Sequence, residues 1–178
     1  MKFFLVLSIV LVSLGHITSD TGMKEVQFYV FSDLYNHVKG PTQEQEGLAV
    51  KASEGHKLWT ASIPGAVWIW DSEKVSEPGT QQTAYFTNYF AVEGKTQKAI
   101  LDIAADNSVW VKINGRKTEC FKQASSYTAE SQFQCDVSKY IEVDLNKIEF
   151  RVVNKPAEKE NEANPAGLLY RLSINTLV

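Results

Sequence analysis

The sequence predicts an all-β protein, an antiparallel β-sandwich of jelly-roll-like form, and three observations carry that prediction. First, Ala99 to Arg116 (AILDIAADNSVWVKINGR) holds two runs with the two-residue period of a strand. Ala99, Leu101 and Ile103 form one face of the first run, and Val109, Val111 and Ile113 form one face of the second. Asp106-Asn107-Ser108 between them reads as a hairpin tip, and Asn114-Gly115 as a second reversal. Second, eight to ten short apolar runs of this kind alternate with Pro, Gly and polar stretches. Third, no window of eleven or more residues keeps a helical period, and no internal repeat is present.

The strands are expected in the following order. Val26 to Phe31 (VQFYVF) is dense in aromatic and β-branched residues and reads as the first strand. Ser32 to Glu46 is polar, contains Gly40-Pro41, and reads as a loop. Leu48 to Ala52, Trp59 to Ile63 and Ala66 to Trp70 read as short strands, the last two parted by Pro64-Gly65. Asp71 to Gln82, with Pro78-Gly79, is a second long loop. Tyr85 to Val92 (YFTNYFAV) is a strand with apolar residues on both parities, which suggests a bulge. Beyond the Ala99 to Ile113 pair come Glu119 to Phe121, Phe133 to Cys135, Ile148 to Val153 and Leu168 to Ile174. Asn154 to Pro165 (NKPAEKENEANP) is a charged connection, either a solvated loop or an acidic contact loop, across which the last two strands can pair as a hairpin.

Met1-Lys2 followed by the 12 residues Phe3 to Leu14 reads as a secretory signal, with cleavage after Gly15 or after Ser19. The run falls short of the roughly 20 residues that span a bilayer, so a membrane is reached only through this segment if it stays uncleaved. Residues 1–19 are thus assigned to the signal and 20–178 to one β-sandwich domain, and the protein is expected to be secreted. The formal net charge is −3, and no basic run is longer than Arg116-Lys117, which argues against nucleic acid as a partner. Cys120 and Cys135 are the two cysteines. In an exported chain a disulfide is the natural reading. Metal binding is the alternative, although neither has a further Cys or a His at ligand spacing. No Asn-x-Ser/Thr triplet occurs, so N-glycosylation is not expected.

Several segments together resemble the galactose-binding-domain-like β-sandwich superfamily. They are Trp59 to Trp70, Tyr85 to Val92, Ala104-Ala105-Asp106-Asn107 with Ile113-Asn114-Gly115, Asn146 to Asn154, and Asn164-Pro165-Ala166-Gly167-Leu168-Leu169. The resemblance covers most of residues 47–178. It implies a fold used for carbohydrate binding, for non-catalytic appendages of glycosidases, or for adhesion and coat units. Where such modules place a Gly two positions before the Asn that opens the penultimate strand, this chain has Asp144, a residue that tolerates the left-handed conformation. Many members hold calcium in an early loop. Calcium is therefore the one cofactor the resemblance raises, with no ligand set mapped onto Ser32 to Glu46.

Catalytic chemistry has little visible support. His16, His37 and His56 are the histidines, and none belongs to a nucleophile elbow or a zinc motif. Paired carboxylates for glycoside hydrolysis leave no signature in sequence, and a non-enzymatic module is the expectation. Trp59 is the candidate sugar platform because Lys57, Thr60 and Ser62 around it are polar, whereas Trp68-Ile69-Trp70 is apolar on both parities and reads as core. Asp106, Asn107, Asn114 and Arg116 are candidate ligands for sugar hydroxyls on a loop rim at one end of the sandwich. For the first three, turn chemistry is the structural alternative. The expected partner is a carbohydrate or an extracellular protein, the second if the sandwich is a subunit of a coat, filament or adhesion complex.

Overall fold

The computed structural model describes residues 22–43, 45–52, 57, 59–75, 79–157 and 164–178. The signal-like residues 1–19, with His16, and also His56, lie outside the described residues. Twelve strands follow one another: β1 (Glu25–Phe31), β2 (His37–Lys39), β3 (Gly47–Leu48), β4 (Val50–Lys51), β5 (Ile69–Trp70), β6 (Gln82–Val92), β7 (Lys95–Asp106), β8 (Ser108–Ile113), β9 (Arg116–Lys122), β10 (Phe133–Asp136), β11 (Asp144–Asn154) and β12 (Gly167–Leu177). They form two antiparallel sheets. The first runs β10-β7-β12-β5-β4, with β1 beside β12, and the second runs β3-β2-β6-β11-β8-β9.

The core lies between the sheets and comes from the inward parity of the long strands. Leu101 and Ile103 of β7 and Leu168, Leu172 and Ile174 of β12 face Phe86 of β6, Val109, Val111 and Ile113 of β8, and Ile148 and Phe150 of β11. Burying an aliphatic or aromatic side chain of this size contributes about 1.5–3 kcal/mol. Rings meet across the gap: Phe150 and Tyr170 lie 4.3 Å apart, and Trp70, 1% exposed, lies 5.9 Å from Phe86. The Tyr170 hydroxyl is buried among them, donates to Asn36 Oδ1 at 2.7 Å and accepts from Asn88 Nδ2 at 3.1 Å. Burial raises its pKa well above the usual phenol value, with the hydrogen bond from Asn88 opposing. The Cys120–Cys135 disulfide joins β9, at the rim of the second sheet, to β10, at the rim of the first.

Ala99 to Ile113 is not a hairpin. β7 is bonded by β10 on one edge and β12 on the other, so no edge remains for β8. β8 instead sits between β11 and β9 in the opposite sheet. Asp106-Asn107-Ser108 is therefore a corner where the chain passes from one sheet to the other, and the Asp106-Asn107 peptide is cis. Asn114-Gly115 is the real reversal: β8 and β9 pair from Ile113 to Arg116, with φ of 52° at Asn114 and 74° at Gly115, as a primed two-residue turn requires. The last two strands likewise fail to pair, because β11 and β12 belong to different sheets.

Smaller differences have the same origin. The expected loop at Ser32 to Glu46 contains β2, whose three residues are held by β6 and β3. Leu48 to Ala52 divides at Ala49 into β3 in the second sheet and β4 in the first. Trp59 to Ile63 is irregular, and only Ile69–Trp70 of Ala66 to Trp70 is strand. β6 carries no bulge: it pairs with β11 in continuous register from Gln82 to Val92. Its apolar residues occupy both parities because tyrosines stand on the outer face. Asp144 does adopt the left-handed conformation, with φ 71°.

Candidate functional site

The five residues expected at a loop rim fall into two groups separated by the length of β8, about 20 Å at 3.3 Å per residue. Trp59, Asp106 and Asn107 lie together at the corner. Trp59 Nε1 donates to Asp106 Oδ2 at 2.9 Å, and its ring stacks on Trp68 at 4.2 Å and 27°. Both indoles press on Gly167, where an added Cβ would lie 2.7 Å from Trp59 Cη2. One face of Trp59 is thus covered by a second indole. Trp68, read as core, is partly buried in this stack, while Trp70 is fully inside. The Asn107 amide donates to Asp106 Oδ1 at 2.7 Å and Ser125 Oγ at 2.8 Å and accepts from the Lys155 N–H at 2.6 Å.

At the other end, Asn114 Nδ2 donates to the Tyr140 carbonyl at 3.0 Å and Asn146 Oδ1 at 2.8 Å, and its Oδ1 accepts from the Lys147 N–H at 2.9 Å. Arg116 donates to the Tyr140 carbonyl at 2.8 Å and to Glu142 Oε1 at 3.0 Å. These side chains fasten the chain's own turns together.

A different constellation lies on the outer face of the second sheet. Register places Tyr85 of β6 beside Arg151 of β11, Arg151 beside Trp110 of β8, and Trp110 beside Phe121 of β9. Four adjacent strands therefore carry one transverse row spanning about 14 Å at roughly 4.8 Å per strand. Tyr85 and Phe121 are each 52% exposed. The Arg151 guanidinium lies 4.8 Å from the centre of the Trp110 ring, which holds the two side chains in a fixed relation. The next row is Thr87, Glu149, Lys112 and Lys117. The two rows floor an open cavity of about 660 Å³ whose lining includes Tyr85, Trp110, Phe121, Lys112, Glu149 and Arg151. Glu149 is bonded by Lys147 at 2.8 Å, and that hydrogen bond raises the lysine pKa against the effect of burial. Flat apolar rings beside charged donors can stack on the C–H faces of a sugar while bonding its hydroxyls.

The signal for this site was present in the sequence. In Val109-Trp110-Val111-Lys112-Ile113 the inward set is Val, Val and Ile, so Trp110 stands on the polar parity. Cys120 has to face the opposite sheet to reach Cys135, which turns Phe121 outward.

Solved structures share this architecture. The chain is similar to an FMN-binding beta-glucuronidase from Facaelibacterium prausnitzii L2-6, with a TM-score of 0.50 and 12% identity over 82% of this chain and 22% of that one. A putative beta-galactosidase from Bacteroides fragilis gives a TM-score of 0.50 and 13% identity over 83% of this chain and 23% of that one. The fold is a galactose-binding-like β-sandwich. A family 35 carbohydrate binding module from Clostridium thermocellum aligns with a TM-score of 0.45 and 9% identity over 82% of this chain and 96% of that one. The galactose-binding-like sandwich described here thus spans about a fifth of each of the two glycosidase chains. No protein-family model matches the sequence, and no curated protein matches it.

Proposed function

We propose that this chain is a secreted, non-enzymatic carbohydrate-binding module whose sugar site is the outer face of the second sheet around Tyr85, Trp110 and Phe121. The row of three outward aromatic side chains with Arg151 set among them is the observation that carries this reading. The two loop ends suit it less well, because Asn107, Asn114 and Arg116 already bond the chain's own turns and Trp59 is stacked and hydrogen-bonded. Among the described residues that line the cavity, Glu149 is the one carboxylate, whereas glycoside hydrolysis draws on two. The disulfide suits an oxidising compartment, and the likeness to portions of a beta-glucuronidase and a putative beta-galactosidase suits a role beside carbohydrates.

A glycan array followed by calorimetry, each run with calcium and with a chelator, tests the proposal. Binding to at least one class of glycan that Trp110→Ala removes is the expected result. No binding under either condition would overturn it. A dependence on calcium would add that ion as a cofactor.

A further inference from the structure

Given the carbohydrate reading, we infer that this face takes an acidic polysaccharide, a glycan bearing carboxylate or sulfate groups on alternate sugars and lying across the strands. The inference rests on the cations that share this face with the aromatic row. Arg116, Lys139, Lys147 and Arg171 each pair with a carboxylate, namely Glu142, Glu119, Glu149 and Asp102. Among the described residues, no carboxylate pairs with Lys39, Lys112, Lys117 or Arg151, and register places all four on the outer face of one sheet. Two carboxylates on that face are engaged, Glu149 with Lys147 and Glu119 with Lys139, and Glu46 lies 3.5 Å from His37. Together with Lys147, these four cations surround the aromatic row in a chain whose net charge is −3. Such a surface selects anions by charge complementarity.

The spacing narrows the ligand. Lys39 pairs with Tyr85, so the first row reads Lys39, Tyr85, Arg151, Trp110, Phe121, and Lys117 stands two strands beyond Arg151 in the second row. Lys39, Arg151 and Lys117 therefore stand on every second strand, about 10 Å apart, with Tyr85 on one strand between and Trp110, beside Lys112, on the other. The strand spacing is close to the length of one pyranose in an extended chain. A glycan crossing the strands would set neutral sugars on Tyr85 and Trp110 and acidic groups at Lys39, Arg151 and Lys117. Arg151, a planar fork held over an indole, is suited to a bidentate grip on a carboxylate or sulfate.

The test is calorimetry of the whole secreted protein with four probes of matched length: hyaluronan oligosaccharides, the same oligosaccharides with their carboxyls reduced, sulfated dextran, and a single-stranded DNA oligonucleotide. Hyaluronan is expected to bind at least about tenfold tighter than its reduced form, as one charged hydrogen-bonded pair implies. Arg151→Gln should narrow that margin, and added salt should weaken hyaluronan more than its reduced form. Sulfated dextran matching hyaluronan would show that the site reads charge from either acid, whereas weaker binding would assign it to carboxylates. Equal affinity for hyaluronan and its reduced form would overturn the acidic assignment and leave the sugar site standing. Tighter binding of the oligonucleotide than of either acidic glycan would overturn it in favour of nucleic acid. Binding by no carbohydrate probe, with the circular dichroism spectrum intact, would overturn the inference and count against the carbohydrate reading beneath it.

Discussion

Replacing Trp59 separates a structural indole from a binding one, and its effect can be worked from its contacts. Full loss of a buried Trp costs about 3–5 kcal/mol, and Trp59 is partly buried, so roughly half of that follows from lost packing on Trp68 and around Gly167. The indole N–H bond to the Asp106 carboxylate, at 2.9 Å, adds about 1.5 kcal/mol as a bond to a charged group. Trp59→Ala should therefore destabilise the domain by about 3 kcal/mol, a fall of about 6–12 °C in thermal midpoint for a domain of this size. Trp59→Phe keeps a ring on Trp68 and loses only the hydrogen bond, so it should cost about 1–1.5 kcal/mol. Urea unfolding followed by tryptophan fluorescence and far-ultraviolet circular dichroism measures both. If Trp59→Ala left the midpoint within 1 °C and abolished glycan binding, the corner would be the sugar site and Trp59 its platform. The assignment of these residues to structure would then be wrong.

Other outcomes follow from the core. Cys120→Ser with Cys135→Ser releases a bridge of sequence separation 15 between the rims of the two sheets and should cost about 3 kcal/mol, read from urea midpoints against the oxidised parent. Mass spectrometry without reductant should find no alkylatable thiol in the folded protein. Tyr170→Phe leaves Asn36 and Asn88 without their shared hydroxyl and should cost about 1–3 kcal/mol. Because burial raises the Tyr170 pKa above that of the unfolded chain, the folded state holds this proton longer. Its contribution is complete below about pH 10 and is lost as pH rises beyond it. Midpoints measured from pH 8 to 11.5 should fall at the alkaline end in the parent and fall less in Tyr170→Phe.

Faces were legible in the sequence and edges were not. The alternation of Val109, Val111 and Ile113 and of Leu168, Tyr170, Leu172 and Ile174 marks the buried side of β8 and β12, and those residues are the core. Alternation does not say which strand lies alongside. β7 finds its partners in β10 and β12, so Asp106-Asn107-Ser108 turns a corner that a local reading mistakes for a hairpin tip. The pairing of Cys120 with Cys135 was legible because they are the two cysteines of the chain, and it links the two rims. The aromatic row was hidden for a related reason. Tyr85, Trp110, Arg151 and Phe121 are far apart in the chain and meet only through the register of four strands. Trp59 drew attention through its polar neighbours, yet those neighbours say nothing of Trp68 and Gly167 packed against its ring.

The outer face of the second sheet as the sugar site is tested most directly by titrating one glycan ligand into the parent and into Trp110→Ala, with thermal melts of both. Trp110 is partly buried and packs on the Arg151 guanidinium, so its removal should cost about 2 kcal/mol of stability, half the loss of a fully buried Trp. The account predicts a cooperative melt whose midpoint falls by about 4–8 °C, a protein fully folded at 25 °C, and loss of at least about tenfold in affinity, the scale of one stacked ring. Undiminished affinity in a folded Trp110→Ala protein would contradict it.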